Sequence, residues 1–434
     1  MKAFTIAMIT IYNIVFIYSV IKKKDIFGMG TIINVAVNLN FFLFLMGWSD
    51  FITSEPQLGT YIIINSILII FIIAMLLSKS PVEKLARSKE YIALKDIRIF
   101  NNKINIYVFI NIIYITLFFL ENYIGSRNLF PNLFGIDIHT YSAPLISFVT
   151  RAIYVMLFLN YICYENFKEK KYLVFFVIDL ILFPVIRGAR MNLFMSFFEF
   201  GIFFAMYNLS YLIRNKKLII SLVLSGILLV GVGITVGNKR IENQLENSGI
   251  EENLTYSDFI RYNGPQDSMG ILPWYYGYFP MSYANLDKTI ERIDDGGYRT
   301  YGIYTVRPIL VGLLQFDNLI PNYPDLDLID EVSEYYTTSA TVSTGFSEFY
   351  LDFGKFAFIG IAIYAFISLA IYNGIKKNIN NLPLYGLIAG AWFFMAFQNT
   401  MIEVITLYSS IYLLLLFKYC VDNNKDTREK ITNG

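Results

Sequence analysis

A chain of 434 residues that is 56% hydrophobic and 17% aromatic but only 16% charged is not an ordinary soluble enzyme, because soluble domains carry about a quarter charged residues. Its 35 Lys and Arg nearly cancel 34 Asp and Glu, for a net charge of +1, which gives no basis for a nucleic-acid partner. Intrinsic disorder and secretion as a soluble protein are excluded by the same apolar content.

Scanned with a window of about 19 residues, the chain predicts eleven membrane spans, at 3–21, 29–48, 58–78, 104–124, 143–164, 172–187, 191–212, 218–236, 354–375, 383–398 and 402–419. The first has only Lys2 before it and runs into Lys22-Lys23-Lys24 with no small-residue cleavage site. It therefore reads as a retained span rather than a signal peptide. One set of alternate connections (22–28, 79–103, 165–171, 213–217, 375–382 and 418–434) holds twenty-two Lys and Arg. The short connections on the other side hold only Arg127 and Arg190. The positive-inside rule makes the first set cytoplasmic, with the N-terminus outside and the C-terminus inside. Cys163 and Cys420 then fall near cytoplasmic helix ends, and neither a disulfide nor a metal site is expected of them. The expected architecture is an all-α polytopic membrane protein. Residues 1–236 carry helices 1–8, 237–345 form one large extracytoplasmic loop, 346–420 carry helices 9–11, and 421–434 form a cytoplasmic tail.

The loop 237–345 has 109 residues, seven basic and sixteen acidic, with six of the twelve prolines and twelve tyrosines. Connections beyond about 15 residues are normally functional or independently folded. An acidic part (Glu242, Glu246, Glu251, Glu252) precedes the aromatic run Pro273-Trp274-Tyr275-Tyr276-Gly277-Tyr278-Phe279-Pro280. Aromatic faces beside carboxylates suit sugar rings, so Trp274, Tyr276 and Tyr278 are candidate substrate contacts. An interfacial aromatic belt or a self-packed lid fits the same run equally well.

Ionisable groups inside spans are costly and functional by default. Glu121 and Glu403 fall near outer helix ends, where they are expected to reach water; Arg151, Asp179 and Glu199 lie deeper. The structural expectation pairs Arg151 with Asp179 or Glu199. A sharper signal is Arg187-Gly188-Ala189-Arg190, placed at the outer face against the charge trend. Two arginines three apart at a helix start share a face and add guanidinium forks to the positive end of the dipole, a fit for phosphate or diphosphate. Snorkelling to phospholipid headgroups is the structural alternative. The loop adds Arg240, Arg261, Arg292, Arg299 and Arg307. Arg307 precedes Pro308 and an apolar run, and is the best loop candidate for the same anion. The only histidine, His139, lies in an outer connection, where it is a candidate base or a solvated loop residue. It has no second ligand at metal spacing, so no metal is expected. Glu348 and Asp352, four apart at the mouth of the ninth span, share a helical face and suit either proton abstraction or ion pairing.

Arg187-Gly188-Ala189-Arg190 opening a helix, Tyr276-Gly277-Tyr278-Phe279-Pro280 to Asn285-Leu286-Asp287 in the outer loop, and Thr341 to Asp352-Phe353-Gly354 entering the next span resemble the Wzy-type oligosaccharide repeat-unit polymerases of O-antigen and capsule synthesis. The resemblance implies a metal-independent glycosyltransferase of the bacterial cytoplasmic (inner) membrane, with no cofactor. Its partners would be undecaprenyl-diphosphate-linked oligosaccharides and the lipid bilayer, with a chain-length regulator and a flippase as possible protein partners. The growing glycan leaves undecaprenyl diphosphate for the non-reducing end of one lipid-linked repeat unit. On this resemblance Arg187, Arg190 and Arg307 hold diphosphate, with Arg261 and Arg299 as further substrate contacts, and Glu348, Asp352 and His139 are candidate bases in that order. The related O-antigen ligases use an outer-loop histidine, and none occurs in 237–345. Two other classes stand beside this one. A flippase or transporter would show internal repeats and midplane sites. An oligosaccharyltransferase-like enzyme would use an acidic pair in the first outer connector, where Asp50 and Glu55 lie.

Overall fold

The protein is described from a computed structural model, which describes residues 1–52, 55–87, 98–99, 104–131, 144–182, 186, 190–215, 217, 220, 224, 231, 256–265, 270–296, 299–303, 305–306, 343–396 and 404–419. The chain is mostly helical; a two-residue antiparallel ladder pairs Arg98–Ile99 with Ile104–Asn105. Among the described residues, four helices are long and apolar enough to cross a membrane: Lys2–Lys23, Leu58–Leu77, Ile106–Ser126 and Phe346–Ile375. At 1.5 Å per residue each reaches about 30 Å, the thickness of a bilayer's hydrocarbon core. Shorter apolar helices occupy Met29–Leu45, Leu193–Tyr207, Asn381–Phe394 and Thr406–Lys418. The eighth expected span, 218–236, lies almost wholly outside the described residues.

The residues form two compact units. The first comprises Met1–Arg87, Asn208–Asn373 and Ala391–Ile402. At one end of its helices, Lys24 turns left-handed (φ 53°) to stop the first helix. Lys23 then donates from Nζ to the Met75, Leu76 and Ser78 carbonyls at 2.8, 2.6 and 3.3 Å. Those are end carbonyls of a neighbouring helix with no partners of their own, where a cation also meets the negative end of the dipole. Asp25 accepts from Ser78 Oγ (2.5 Å) and from the Tyr372 hydroxyl, and the Lys79 N–H donates to Asn373 Oδ1 at 2.7 Å. The C-terminal ends of Lys2–Lys23, Leu58–Leu77 and Phe346–Ile375 are thus tied together, so the three run in the same sense.

Met29–Leu45 contains a π-helical turn, Asn34–Leu39. Widening a helix in this way frees carbonyls from their usual donors. Asn40 meets the loss locally, its Nδ2 donating to Val35 O (3.1 Å) and Ala36 O (2.8 Å). The core beside it is aromatic: Phe41 packs on Tyr283 (5.5 Å, 62°) and Tyr61 (6.5 Å, 89°). Such edge contacts add about 0.5–1.5 kcal/mol beyond burial. Deeper, Trp392 packs edge-on to Phe71 at 5.0 Å and donates from Nε1 to Ser368 Oγ at 2.9 Å.

The second unit comprises Ser88–Tyr207, Gly374–Gly390 and Glu403–Gly434. Its buried polar groups differ from the sequence expectation. Glu121 does not reach water: it is buried and accepts from the Ser147 and Thr150 hydroxyls. Asp179, on the π turn Ile178–Leu182, is met by Asn160 Nδ2 (2.6 Å) rather than by Arg151. Asn160 and Asn111 in turn exchange reciprocal amide bonds of 2.7 and 2.8 Å. Neutral amides answer a buried carboxyl without desolvating a second ion. The fifth expected span is broken at Arg151-Ala152, between Pro144–Thr150 and Ile153–Phe167. Arg151, which is buried, lies 5.3 Å over the Tyr408 ring, a contact that gains strength with desolvation. Gly386 and Gly390 admit the Arg190–Tyr207 helix closely; a Cβ on Gly390 would fall 2.2 Å from Glu199 Cγ. Small residues at such crossings are the membrane rule.

Candidate functional site

In the first unit, the short connection after Met29–Leu45 and the start of the described loop pair like two strands. Ser49 bridges Tyr262, the Asp50 N–H donates to Arg261 O (3.1 Å), and the Asn263 N–H donates to Trp48 O (3.2 Å). Asn263 Nδ2 also meets Asp50 Oδ1 at 2.7 Å, while Glu55 lies 3.8 Å from Lys2 Nζ. Asp50 and Glu55 are therefore engaged separately, Asp50 in holding the loop. Arg261 adopts φ 46° and lays its exposed guanidinium 5.1 Å from the Phe51 ring centre. Below it Ile260, Tyr262, Tyr276 and Met281 form a cluster with Trp48 and Phe51. Tyr276 is 1% exposed and its hydroxyl accepts the Trp48 N–H at 2.9 Å. The structure gives this tyrosine a packing role.

Its neighbours differ. In the helix Ile271–Tyr278, Pro273 and Tyr276 face inward while Ile271, Leu272 and Tyr278 are exposed. Tyr278 lies 4.5 Å from Trp274 and stacks on Tyr256 at 5.9 Å and 19°. Tyr256 fits only because residue 277 is glycine, where a Cβ would lie 2.3 Å from the phenol oxygen. Buried Trp274 Nε1 has no hydrogen-bond partner among the described residues. An open aromatic face beside an unanswered donor suits a ring that carries hydroxyls.

The next helix is Ser282–Asp294, and hydrogen bonds tie it and the helix before it to the bundle. Tyr275 donates to Asn40 Oδ1 at 2.6 Å and Tyr283 to Ala36 O at 3.3 Å, both at the π turn. Burial pushes the Tyr275 phenol up to about 12 and holds that of Tyr283 well above its ordinary value, so both remain donors at neutral pH. Asp287 Oδ1 accepts the Gln57 N–H (2.7 Å) and Thr60 Oγ1 (2.5 Å). It caps Leu58–Leu77, whose own Gln57 supplies no capping bond, and a carboxyl there faces the positive dipole end. Desolvation nevertheless outweighs those two bonds and holds the Asp287 carboxyl above its ordinary range.

Ionisable groups from both ends of the loop converge at the head of Phe346–Ile375. Tyr350 donates to Asp294 Oδ1 at 2.9 Å, and Lys355 Nζ stands 3.8 Å from Asp294 Oδ2. Asp352, 2% exposed, accepts from Thr300 Oγ1 on Oδ1 (2.6 Å). Its Oδ2 accepts from the Thr305 N–H (2.7 Å) and Thr305 Oγ1 (2.5 Å). The Thr300 N–H adds a bond to Leu351 O at 3.1 Å. Gly354 ends the first short helix at φ 55°, where L side chains are strained, and a Cβ there would lie 3.1 Å from the Arg299 guanidinium carbon. Among the described residues no carboxylate lies within 4.0 Å of Arg299. Glu348 is half-buried in the same helix.

The structure therefore brings Arg299 to the end of the helix that carries Glu348 and Asp352, and sets Trp274 and Tyr278 side by side. Arg190 opens the Arg190–Tyr207 helix, but its side chain, together with Arg187, Arg307, His139 and Glu403, lies outside the described residues. Tyr350, Asp294 and Lys355 escape sequence reasoning, which weighs motifs within one segment, whereas these meet across 56 positions. Among the described residues no three His, Cys, Asp or Glu side chains converge as metal ligands would. No family model matches the sequence, and no curated protein and no solved structure matches it either.

Proposed function

We propose that the chain is a multi-pass polysaccharide repeat-unit polymerase of the bacterial cytoplasmic membrane, with eleven spans, its N-terminus outside and 237–345 facing outward. The observation that carries this reading is that Arg299, from the loop, lies against Gly354 at the head of Phe346–Ile375, next to the turn that Asp352 holds through Thr300 and Thr305. An anion-binding arm beside carboxylates at a span's outer end is what transfer from a lipid diphosphate needs. The common sense of the first, third and ninth segments agrees with alternating topology.

In this reading the acceptor sugar hydroxyl attacks the anomeric carbon of the donor glycan while the bond to undecaprenyl diphosphate breaks. The hydroxyl proton passes to a carboxylate such as Glu348, a general-base step. Arginines at 299 and 307 take up the charge that grows on the departing diphosphate. The face of Trp274, Tyr278 and Tyr256 binds a glycan ring by stacking. A specific observation favours transport as the second reading: the Asn111–Asn160–Asp179 ladder buries an ionisable group in the helices of the second unit, a feature of translocation paths.

The test incubates purified, detergent-solubilised protein with its lipid-linked repeat unit and resolves the products on a gel. A ladder spaced by one repeat, lost or shortened in Arg299→Ala while the variant remains folded, is expected. Transfer of the glycan to a different acceptor indicates a ligase, and unchanged substrate with folded protein favours transport.

A further inference from the structure

We propose that Asp352 is a positioning residue. Its carboxylate ties residues 300–305 to the head of Phe346–Ile375 and so sets the Arg299 guanidinium over Gly354 as the anion-binding arm. The assignment of the anion rests on the polymerase reading; the clamp itself rests on geometry alone.

Both oxygens of Asp352 are committed, Oδ1 to Thr300 Oγ1 and Oδ2 to the Thr305 N–H and Oγ1. A buried carboxylate accepting three bonds presents little lone-pair density to a substrate hydroxyl, and a general base needs its proton donor within about 3 Å. The partners instead belong to the turn that follows Arg299 directly. That turn closes on itself, the Ile303 N–H donating to Thr300 O (3.1 Å) and the Val306 N–H to Gly302 O (3.2 Å), so Asp352 holds it at Thr300 and again at Thr305. Gly354, two residues beyond Asp352, leaves the open space in which the guanidinium lies. Arg299 has no carboxylate partner within 4.0 Å among the described residues. No described carboxylate neutralises its charge, and the clamp fixes the turn that begins directly after it. Held this way, an arginine meets diphosphate with less ordering cost than a mobile one.

Full-length protein in lipid nanodiscs provides the test, with undecaprenyl diphosphate as the probe. In Asp352→Asn, amide exchange across 299–306 is expected to speed up while 357–375 remains protected. Probe affinity should fall about tenfold, as for loss of one charge-assisted contact. Arg299→Ala should lose a similar factor and the double variant no more than either alone, because both remove one arm. Thr300→Val, which deletes a single bond, should show a smaller effect in the same direction. In turnover, Asp352→Asn should raise KM more than it lowers kcat. Independent losses that multiply, unchanged exchange at 299–306, or a loss confined to kcat would each overturn the assignment, the last in favour of a base. Absence of probe binding by the wild-type protein would count against the polymerase reading and the anionic role of Arg299, while exchange still decides the clamp.

Discussion

Asp287 shows how one side chain couples the loop to a membrane helix. Its Oδ1 accepts from Gln57 and Thr60, yet desolvation holds the carboxyl above its ordinary value of 3.8. An acid raised in this way is favoured in its protonated form by the folded state. Its contribution is full below the ordinary value and is lost as pH rises through the raised one. Asp287→Asn keeps an oxygen for both donors and cannot ionise. Thermal unfolding in detergent is therefore expected to show the variant at least as stable as wild type at pH 7, with this part of the pH dependence gone. Greater stability of the wild type at pH 7 would mean that the ionised form caps the helix better. The glycan-contact residues read from the sequence separate at this same scale. Trp274, Tyr276 and Tyr278 come from one run, but Tyr276 is turned inward to the Trp48 N–H while Tyr278 stays 37% exposed. Local composition carries no information on which face of an eight-residue helix meets the bundle.

Among the elements, the π turn of Met29–Leu45 has the widest consequences. It offers carbonyls that Asn40 and Tyr283 fill, and Asn40 also receives Tyr275. Replacing Asn40 by Leu leaves the Val35 carbonyl and the Tyr275 hydroxyl without this partner, each costing about 1–3 kcal/mol when buried. Asn40→Leu is expected to lower the melting temperature clearly, and Tyr275→Phe, which loses one bond, by less. Limited proteolysis should then cut the 256–294 region sooner in Asn40→Leu than in wild type; equal cleavage would show that the loop does not depend on the π turn. The sequence made the apolar segment itself legible, because spanning a bilayer requires about 20 such residues. It did not reveal the extra residue in one helical turn, since adding one leaves hydropathy unchanged. The partner of Asp179 was hidden for a similar reason: the charge of Arg151 pointed to an ion pair, but the amides of Asn111 and Asn160 occupy the site.

At the scale of the whole molecule, the proposed topology makes a direct prediction. In a background lacking Cys163 and Cys420, Asn253→Cys is expected to react with an impermeant thiol reagent on intact cells, and Lys84→Cys only after lysis. The reverse pattern would invert the protein in the membrane and remove the outer-face site with it. Composition and the spacing of apolar runs sufficed to identify a helical protein with membrane-crossing segments, because the bilayer imposes a length and a polarity that single residues report additively. The acid pair Glu348/Asp352 was equally legible, since four-residue spacing on a helix is local. Tertiary structure alone decided that Asp352 clasps Thr300 and Thr305, that Arg299 rests over Gly354, and that Tyr350 meets Asp294. Those contacts join residues about fifty positions apart, and pairing at that distance depends on how helices pack, which no local pattern of residue types encodes.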